Sequence, residues 1–385
     1  MDEATIRDRA AIVGIGETAF GKGLAESEEH LACRAIQAAL DDAGIDPAEV
    51  DGLFSYSMQG ANEDEIARNL GLGDLTAFAR TPAGGGGGCG TVGLAAMAVA
   101  TGQARVAVAY RARKRSAKAS RPWAQTQAGV TRWEMWTRPW GVLRPADEVA
   151  VIWRRYMHEY GATRAALAEI ALTQRANANR NPAAAMRDRT LTLDEYMSAR
   201  WISEPLCLFD CCLETDGALA AVLVPAPRAR DCRNTPAFVH AFAQGVSRGS
   251  GMMFGVFGED PLRTPSHAAA ARLWANSDLQ PADIDVAQIY DAFTPEVLFC
   301  LEGYGFCARG EAADFVAGGA LRIGGRLPAN TAGGSLSEAY LHGFNLVTEA
   351  VKQIRGSAAN PVAGVRSAFV CSSDGVPTSA LVLRR

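Results

Sequence analysis

Thr215 to Val224 reads TDGALAAVLV and Ser373 to Leu383 reads SDGVPTSALVL, so a small residue, Asp-Gly and a closing apolar run occur twice in one chain. Matching endings imply a duplicated unit, and a duplication limits the fold more than any single element does. It divides the 385 residues near Asp231 to Pro236, in the connection PAPRARDCRNTP, giving an N-terminal half over 1–235 and a C-terminal half over 236–385. That length is enough for two core-bearing units.

Each half alternates short apolar runs with helical spacing. In the first, Ala11 to Gly16 and Asp51 to Ser55 predict strands. Leu31 to Ala43, Pro47 to Val50 and Asp64 to Leu72, ended by Gly73, predict helices. A helix over about Thr91 to Gly102 then leads to the valine-rich strand Arg105 to Tyr110. In the second half a strand at Ala237 to Ala243, a helix near Pro265 to Asn276, a strand ending at Ile289 and a helix from Thr294 repeat the pattern. Such alternation favours an α/β layered architecture around a mixed sheet.

From about Lys118 to Arg200 the character changes. Trp123, Trp133, Trp136, Trp140 and Trp153 put five of the seven tryptophans there, around helices expected at Val149 to Tyr160 and Arg164 to Asn179. This stretch, 118–200, reads as an insertion. Each tryptophan is expected chiefly to pack, and together they are suited to wall a pocket for a large apolar substrate.

A net charge of −4 and a pI near 5.8 give no general attraction to nucleic acid or to an anionic membrane. The local exception is Arg111, Arg113, Lys114, Arg115, Lys118 and Arg121, which fits either a solvated basic face or a phosphate-bearing ligand. Nine scattered cysteines without zinc-like spacing suggest reduced thiols and no metal site. The start MDEATIRDRA lacks a signal-peptide profile and no apolar run is long enough to span a bilayer, so the expected compartment is the cytoplasm.

Three stretches carry chemistry. In PAGGGGGCGTVG six glycines surround Cys89 before a small-residue helix, which suits close ligand approach and oxyanion binding at a helix N-terminus. In AQIYDAFTPEVL, Tyr290 and Asp291 fall in a strand-to-helix loop; a half-buried tyrosine and a turn-capping aspartate are the plainer reading. In NTAGGSLSEAYLHGFN, Gly333 and Gly334 make a close-approach turn ahead of Tyr340 and His342, and by ordinary pKa alone His342 is the better proton carrier.

Together with AFVCSSDG at Ala368 to Gly375, these stretches resemble the thiolase superfamily in its lipid-transfer, sterol-carrier branch. The resemblance spans nearly the whole chain. It implies two similar halves packed as a five-layer αβαβα sandwich, with a loop domain inserted in the first half. Gly93 and Ala96 fit the family's helix spacing, which puts Gly90 where the nucleophilic cysteine belongs and leaves Cys89 one residue early. Tyr290 and Tyr340 fall where the family has histidines, and Cys371 matches its second cysteine.

Loss of the nucleophile with retention of the architecture is similar to steroid side-chain aldolases. The resemblance therefore implies retro-aldol cleavage of a 17-hydroxy steroid-20-carboxyl-CoA to a 17-keto steroid and propionyl-CoA, with CoA as part of the substrate and no further cofactor. Tyr340 is expected to accept the hydroxyl proton and Tyr290 to be the second acid/base group. Asp291, His342 and Cys371 are supporting candidates, while Gly90, Gly333 and Gly334 approach the acyl-CoA. The implied assembly is a homodimer joined through its sheets, working with an acyl-CoA hydratase subunit that carries an OB-like accessory domain. The alternatives are a cysteine-dependent thiolase or acyltransferase and a non-catalytic lipid or acyl-CoA carrier.

Overall fold

The computed structural model describes residues 6–57, 60–82, 84–114, 134–248, 254–255, 258–375 and 377–385. Ala83, Arg115, Lys118, Arg121, Trp123, Trp133 and Val376 of the stretches singled out above lie outside the described residues. In chain order the first half holds β1 (Ala10–Glu17), α1 (Glu28–Ala43), β2 (Gly52–Tyr56), α2 (Glu63–Leu70), β3 (Ala77–Thr81), α3 (Gly87–Ala100) and β4 (Ala107–Arg113). There follow α4 (Glu134–Thr137), α5 (Pro145–Tyr160), α6 (Arg164–Arg180), α7 (Leu193–Met197) and the hairpin β5 (Trp201–Ser203) and β6 (Leu206–Cys207), before β7 (Gly217–Pro225) and α8 (Ala226–Ala229). The second half holds β8 (Ala237–Gly245), α9 (Pro265–Ala275), β9 (Val286–Gln288), α10 (Thr294–Gly303), α11 (Ala312–Val316), α12 (Gly334–Ser337), α13 (Phe344–Arg355), β10 (Ser367–Ser372) and β11 (Thr378–Arg384).

Among the described residues the strands run in the order β3-β2-β4-β7-β1-β8-β11-β10-β9. Reading outward from the middle, β1-β7-β4-β2 mirrors β8-β11-β10-β9, with two antiparallel pairings and then a parallel one on each side. The two sets meet through only Ala11 with Phe238 and Ile12 with Ala237. Beyond β2 stands β3, an edge strand that the sequence reading missed; on the other side a single parallel bridge, Ala287 with Ala329, occupies the corresponding place.

Helix positions follow from their faces. α1 is amphipathic, capped by the Ser27 side chain and closed by Gly44 in the left-handed region, and buries Leu31, Ala35, Ile36, Ala39 and Leu40 against β1, β4 and β7. α3, GGCGTVGLAAMAVA, has no polar side, so it is buried between strands of both halves, where a Cβ on Gly93 would come within 2.2 Å of Phe242 on β8. α13 accompanies it there, and α9 covers the outer face of β8 and β11. The resulting order is helices, strands, α3 with α13, strands, helices.

Three expectations shift. α2 ends at Gly71, whose positive φ and N–H bond to the Ala67 carbonyl close the helix before Gly73. α3 begins four residues earlier than Thr91, which takes Gly87 to Gly90 into its first turn. The described tryptophans do not wall one pocket: Trp153 is fully buried and stacks on Tyr156 at 5.4 Å, whereas Trp136 and Trp140 are 66% and 83% exposed. No helix among the described residues is long and apolar enough to cross a membrane.

Candidate active site

Because β9 and β10 are parallel, their carboxyl ends open at one edge of the sheet, where ligands gather in open α/β folds. Tyr290 follows β9 and its N–H donates to Cys371 Sγ on β10 at 3.4 Å. The Tyr290 hydroxyl lies 2.9 Å from the Tyr340 hydroxyl, with the rings tilted by 58°. Tyr290 is buried; desolvation, and next the neighbouring Tyr340, push its phenol well above 10. Tyr340 is half-buried, and its N–H donates to Thr215 Oγ1 at 2.8 Å. Thus the first copy of the repeated Thr/Ser-Asp-Gly element anchors the second half's tyrosine. An added Cβ on Gly85 would stand 2.3 Å from Tyr290 Oη, so the glycine run is cut to fit this hydroxyl.

His342 adopts φ +53° and sets its ring at 5.2 Å from that of Tyr340, edge to face. Arg111 Nη2 approaches its Nδ1 at 3.2 Å, and Arg113 Nη1 its Nε2 at 3.1 Å. A neutral imidazole accepts at only one nitrogen, so the two guanidinium groups compete for a ring they enclose. Arg111 and Arg113 share one face of β4 because they are two residues apart. That spacing was legible in the basic run, but its partner was not. Arg111 also lies over the ring of Tyr56, whose buried hydroxyl donates to the His342 carbonyl at 3.2 Å. No local sequence signal marked Tyr56.

Asp291 is not at the hydroxyl pair. It is buried and accepts the Ser335 and Leu336 N–H groups at 2.9 and 3.1 Å; burial raises its carboxyl to about 6 against the pull of those bonds. Gly333 and Gly334, with positive φ, permit this closure: a Cβ on Gly334 would fall 2.3 Å from Asp291 Oδ2 and one on Gly333 2.7 Å from Ala178 Cβ. Their observed work is to close the turn on Asp291. Gly90 is fully buried within α3, and a Cβ added there would stand 2.8 and 2.9 Å from Thr81 and Gln244, whereas one on Gly85 or Gly88 would meet Tyr290, Tyr56 and the His342 carbonyl.

The cysteines are walls. Burial pushes the Cys89 thiol far up; its Sγ donates to the Val370 carbonyl at 3.5 Å and accepts from Ser372 Oγ at 3.2 Å. Cys371 is buried inside β10, paired with Ala380 of β11. Beside the site, a cavity of about 520 Å³ is lined by Lys22, Arg175, Arg189, Cys212, Thr215 and Leu336, among others. Arg111 and Arg113, which the basic run offered to a phosphate, face His342 instead. Among the described residues no group of three or more His, Cys, Asp or Glu side chains is placed to hold a metal ion.

The chain is similar over nearly its whole length to known proteins. The family described as Thiolase, N-terminal domain, matches residues 10–226, and Thiolase C-terminal domain-like matches 257–383. A 17-hydroxy-3-oxo-4-pregnene-20-carboxyl-CoA lyase of Mycobacterium tuberculosis is 45% identical over 383 residues, covering 97% of this chain and 99% of that one. A steroid side-chain-cleaving aldolase of Thermomonospora curvata is 46% identical over 380 residues, covering 97% of each. The solved structure of the Ltp2-ChsH2(DUF35) aldolase superposes with a TM-score of 0.93 at 45% identity, covering 99% of this chain and 98% of that one.

Proposed function

From the premise that this chain belongs to the thiolase family, we propose that it is a steroid side-chain aldolase, cleaving a 17-hydroxy steroid-20-carboxyl-CoA to a 17-keto steroid and propionyl-CoA. One observation carries the reading: two tyrosine hydroxyls 2.9 Å apart hold the centre of the site, and the nearby cysteines are buried. The full-length similarity to two relatives named for this cleavage supports the substrate class.

Of two hydroxyls sharing one contact, the more deeply buried keeps its proton. Tyr290 therefore donates to the Tyr340 oxygen, which is left to accept. Tyr340, as the phenolate that the Tyr290 O–H stabilises, takes the proton of the tertiary hydroxyl, the adjacent carbon–carbon bond breaks, and its electrons pass into the thioester as an enolate. In this scheme backbone N–H groups at the start of α3 stabilise the enolate oxygen, other than that of Cys89, which donates to Ser372 Oγ at 2.9 Å. His342, held between Arg111 and Arg113, fixes the ring of Tyr340. Asp291, through the Gly333-Gly334 turn, fixes the segment that carries it. Cys371 positions Tyr290 through its N–H. No cofactor beyond the substrate's own CoA enters this scheme.

The assembly belongs to the same reading: a homodimer, working in the cytoplasm with an acyl-CoA hydratase subunit that carries a DUF35, OB-like accessory domain. The name of the solved neighbour, which couples Ltp2 to ChsH2(DUF35), supports the partner. The test is a mass-spectrometric product assay with the 17-hydroxy steroid-20-carboxyl-CoA, with and without that partner, in the absence of free CoA. Propionyl-CoA and a 17-keto steroid are expected. Activity only on a β-ketoacyl-CoA with added CoA would restore thiolysis, and binding without any turnover would restore the carrier.

A further inference from the structure

Retro-aldol cleavage leaves an enolate whose α-carbon needs a proton, and the tyrosine pair is already committed to the hydroxyl. Cys371 is poorly placed to supply one, because its Sγ accepts the Tyr290 N–H and lies against the Cys300 thiol. An acid remains close by. Glu296 is the third residue of α10 and is buried, and among the described residues its Oε2 has no hydrogen-bond partner. A buried polar atom left unpaired in a resting protein asks for a reason, and a catalytic role is one.

The register of α10 places Glu296. Cys300, one turn later on the same helix face, meets Cys371 within β10. α10 starts six residues past the carboxyl end of β9, so Glu296, in its first turn, stands one turn nearer that end than Cys300. There Tyr290 leaves β9, and Ser373, with φ +67°, turns the chain out of β10 into Asp374. Asp374, Asp291 and Cys371 are the charged or titratable neighbours of Glu296, and Tyr290 feels its charge. Burial first, and then Asp374, hold its carboxyl well above the ordinary carboxylate range, the direction that favours the acid form.

We propose that Glu296 is the acid that protonates the α-carbon of the propionyl-CoA enolate. The inference rests on the aldolase reading. The carboxyl O–H bond breaks and a C–H bond forms with the electron pair of the enolate double bond. The thioester carbonyl is restored and Glu296 is left as carboxylate. It is recharged when Tyr290 gives its own proton to the Glu296 carboxylate and takes the one that Tyr340 gained, which restores the Tyr340 phenolate, so one proton moves from oxygen to carbon and none is lost.

The reverse of this step, run from the state in which Tyr340 holds the proton and Glu296 is the carboxylate, removes an α-proton from propionyl-CoA, so the enzyme in deuterium oxide exchanges that position without any ketosteroid. Glu296→Gln, similar in shape, is expected to slow the exchange about 100-fold, with an unchanged melting temperature. Tyr340→Phe is expected to lose more of cleavage than of exchange. Wild-type exchange in a folded Glu296→Gln protein overturns the proposal, as does a wild type that cleaves the steroid thioester but never exchanges. If Glu296→Gln does not fold, Glu296→Asp decides: the shorter acid is expected to slow exchange about tenfold, and an undiminished rate overturns the assignment. A wild type that cleaves no steroid thioester fails the aldolase reading instead, a separate outcome.

Discussion

At the N-terminus of α3 the first half brings five consecutive glycines, Gly84 to Gly88, to the site, whereas just ahead of α13 the second half brings Tyr340 and His342. The two helices are partners in one central layer, yet one arrives without side chains and the other with rings. The first half thus brings space and backbone to the site, and the second brings the side chains proposed above to move protons. The repeated Asp-Gly elements diverge in the same sense. Both aspartates are buried; Asp216 accepts the Leu24 N–H at 3.1 Å as a loop anchor, and the Asp374 carboxyl is raised to about 7, by burial first.

The sharpest way to break this division is to remove a hydroxyl from the second half. Tyr340→Phe is expected to lower kcat by about 10²–10⁴-fold while leaving the melting temperature near that of the wild type; full retro-aldol turnover in a folded variant contradicts the assignment. Filling the space in the first half comes next. Gly85→Ala sets a methyl group against Tyr290 Oη and moves it off Tyr340, so a loss of about 100-fold in kcat is expected. The circular dichroism spectrum should be unchanged, and an active Gly85→Ala protein shows that the glycine run is not shaped for the hydroxyl.

Between the halves lies the clamp on His342. Arg111→Gln removes one guanidinium and is expected to cost about tenfold in kcat/KM, with partial recovery in Arg111→Lys because a cation is restored without the planar fork.

Asp374 sharpens the contrast on the pH axis. Its folded carboxyl titrates near 7, above its unfolded value near 3.9. The folded state therefore holds the extra proton between those values, and stability falls as pH rises through that window. Asp374→Asn is expected to flatten the decline between pH 4 and 7 in urea unfolding. A variant as steep as wild type shows that Asp374 is not the group responsible.

Much of the architecture was legible. The duplicated Asp-Gly runs pointed to mirrored strand sets because their apolar closing residues had to enter the middle of a sheet, as β7 and β11 do. Tyr290 and Tyr340 were singled out by their place in motifs, and the fold brings their hydroxyls to 2.9 Å from each other. What stayed hidden depended on tertiary contacts: Arg111 and Arg113 look like a solvated basic run until His342, more than 220 residues away, comes between them. Gly90 and Gly85 look alike in a run of glycines, and only the fold tells which one meets Thr81 and which meets Tyr290. β3 was missed because an edge strand buries only one face and leaves Phe78 exposed.

The most direct test of the central claim uses the smallest expected effect. Cys89→Ala, given the 17-hydroxy steroid-20-carboxyl-CoA with the DUF35-bearing partner and without free CoA, should release propionyl-CoA and 17-keto steroid within about threefold of the wild-type rate, since a buried, protonated thiol takes no part in bond making. Loss of product from a folded Cys89→Ala protein, with an acyl group trapped on Cys89 in the wild type, would return the chemistry to the first half and to a cysteine.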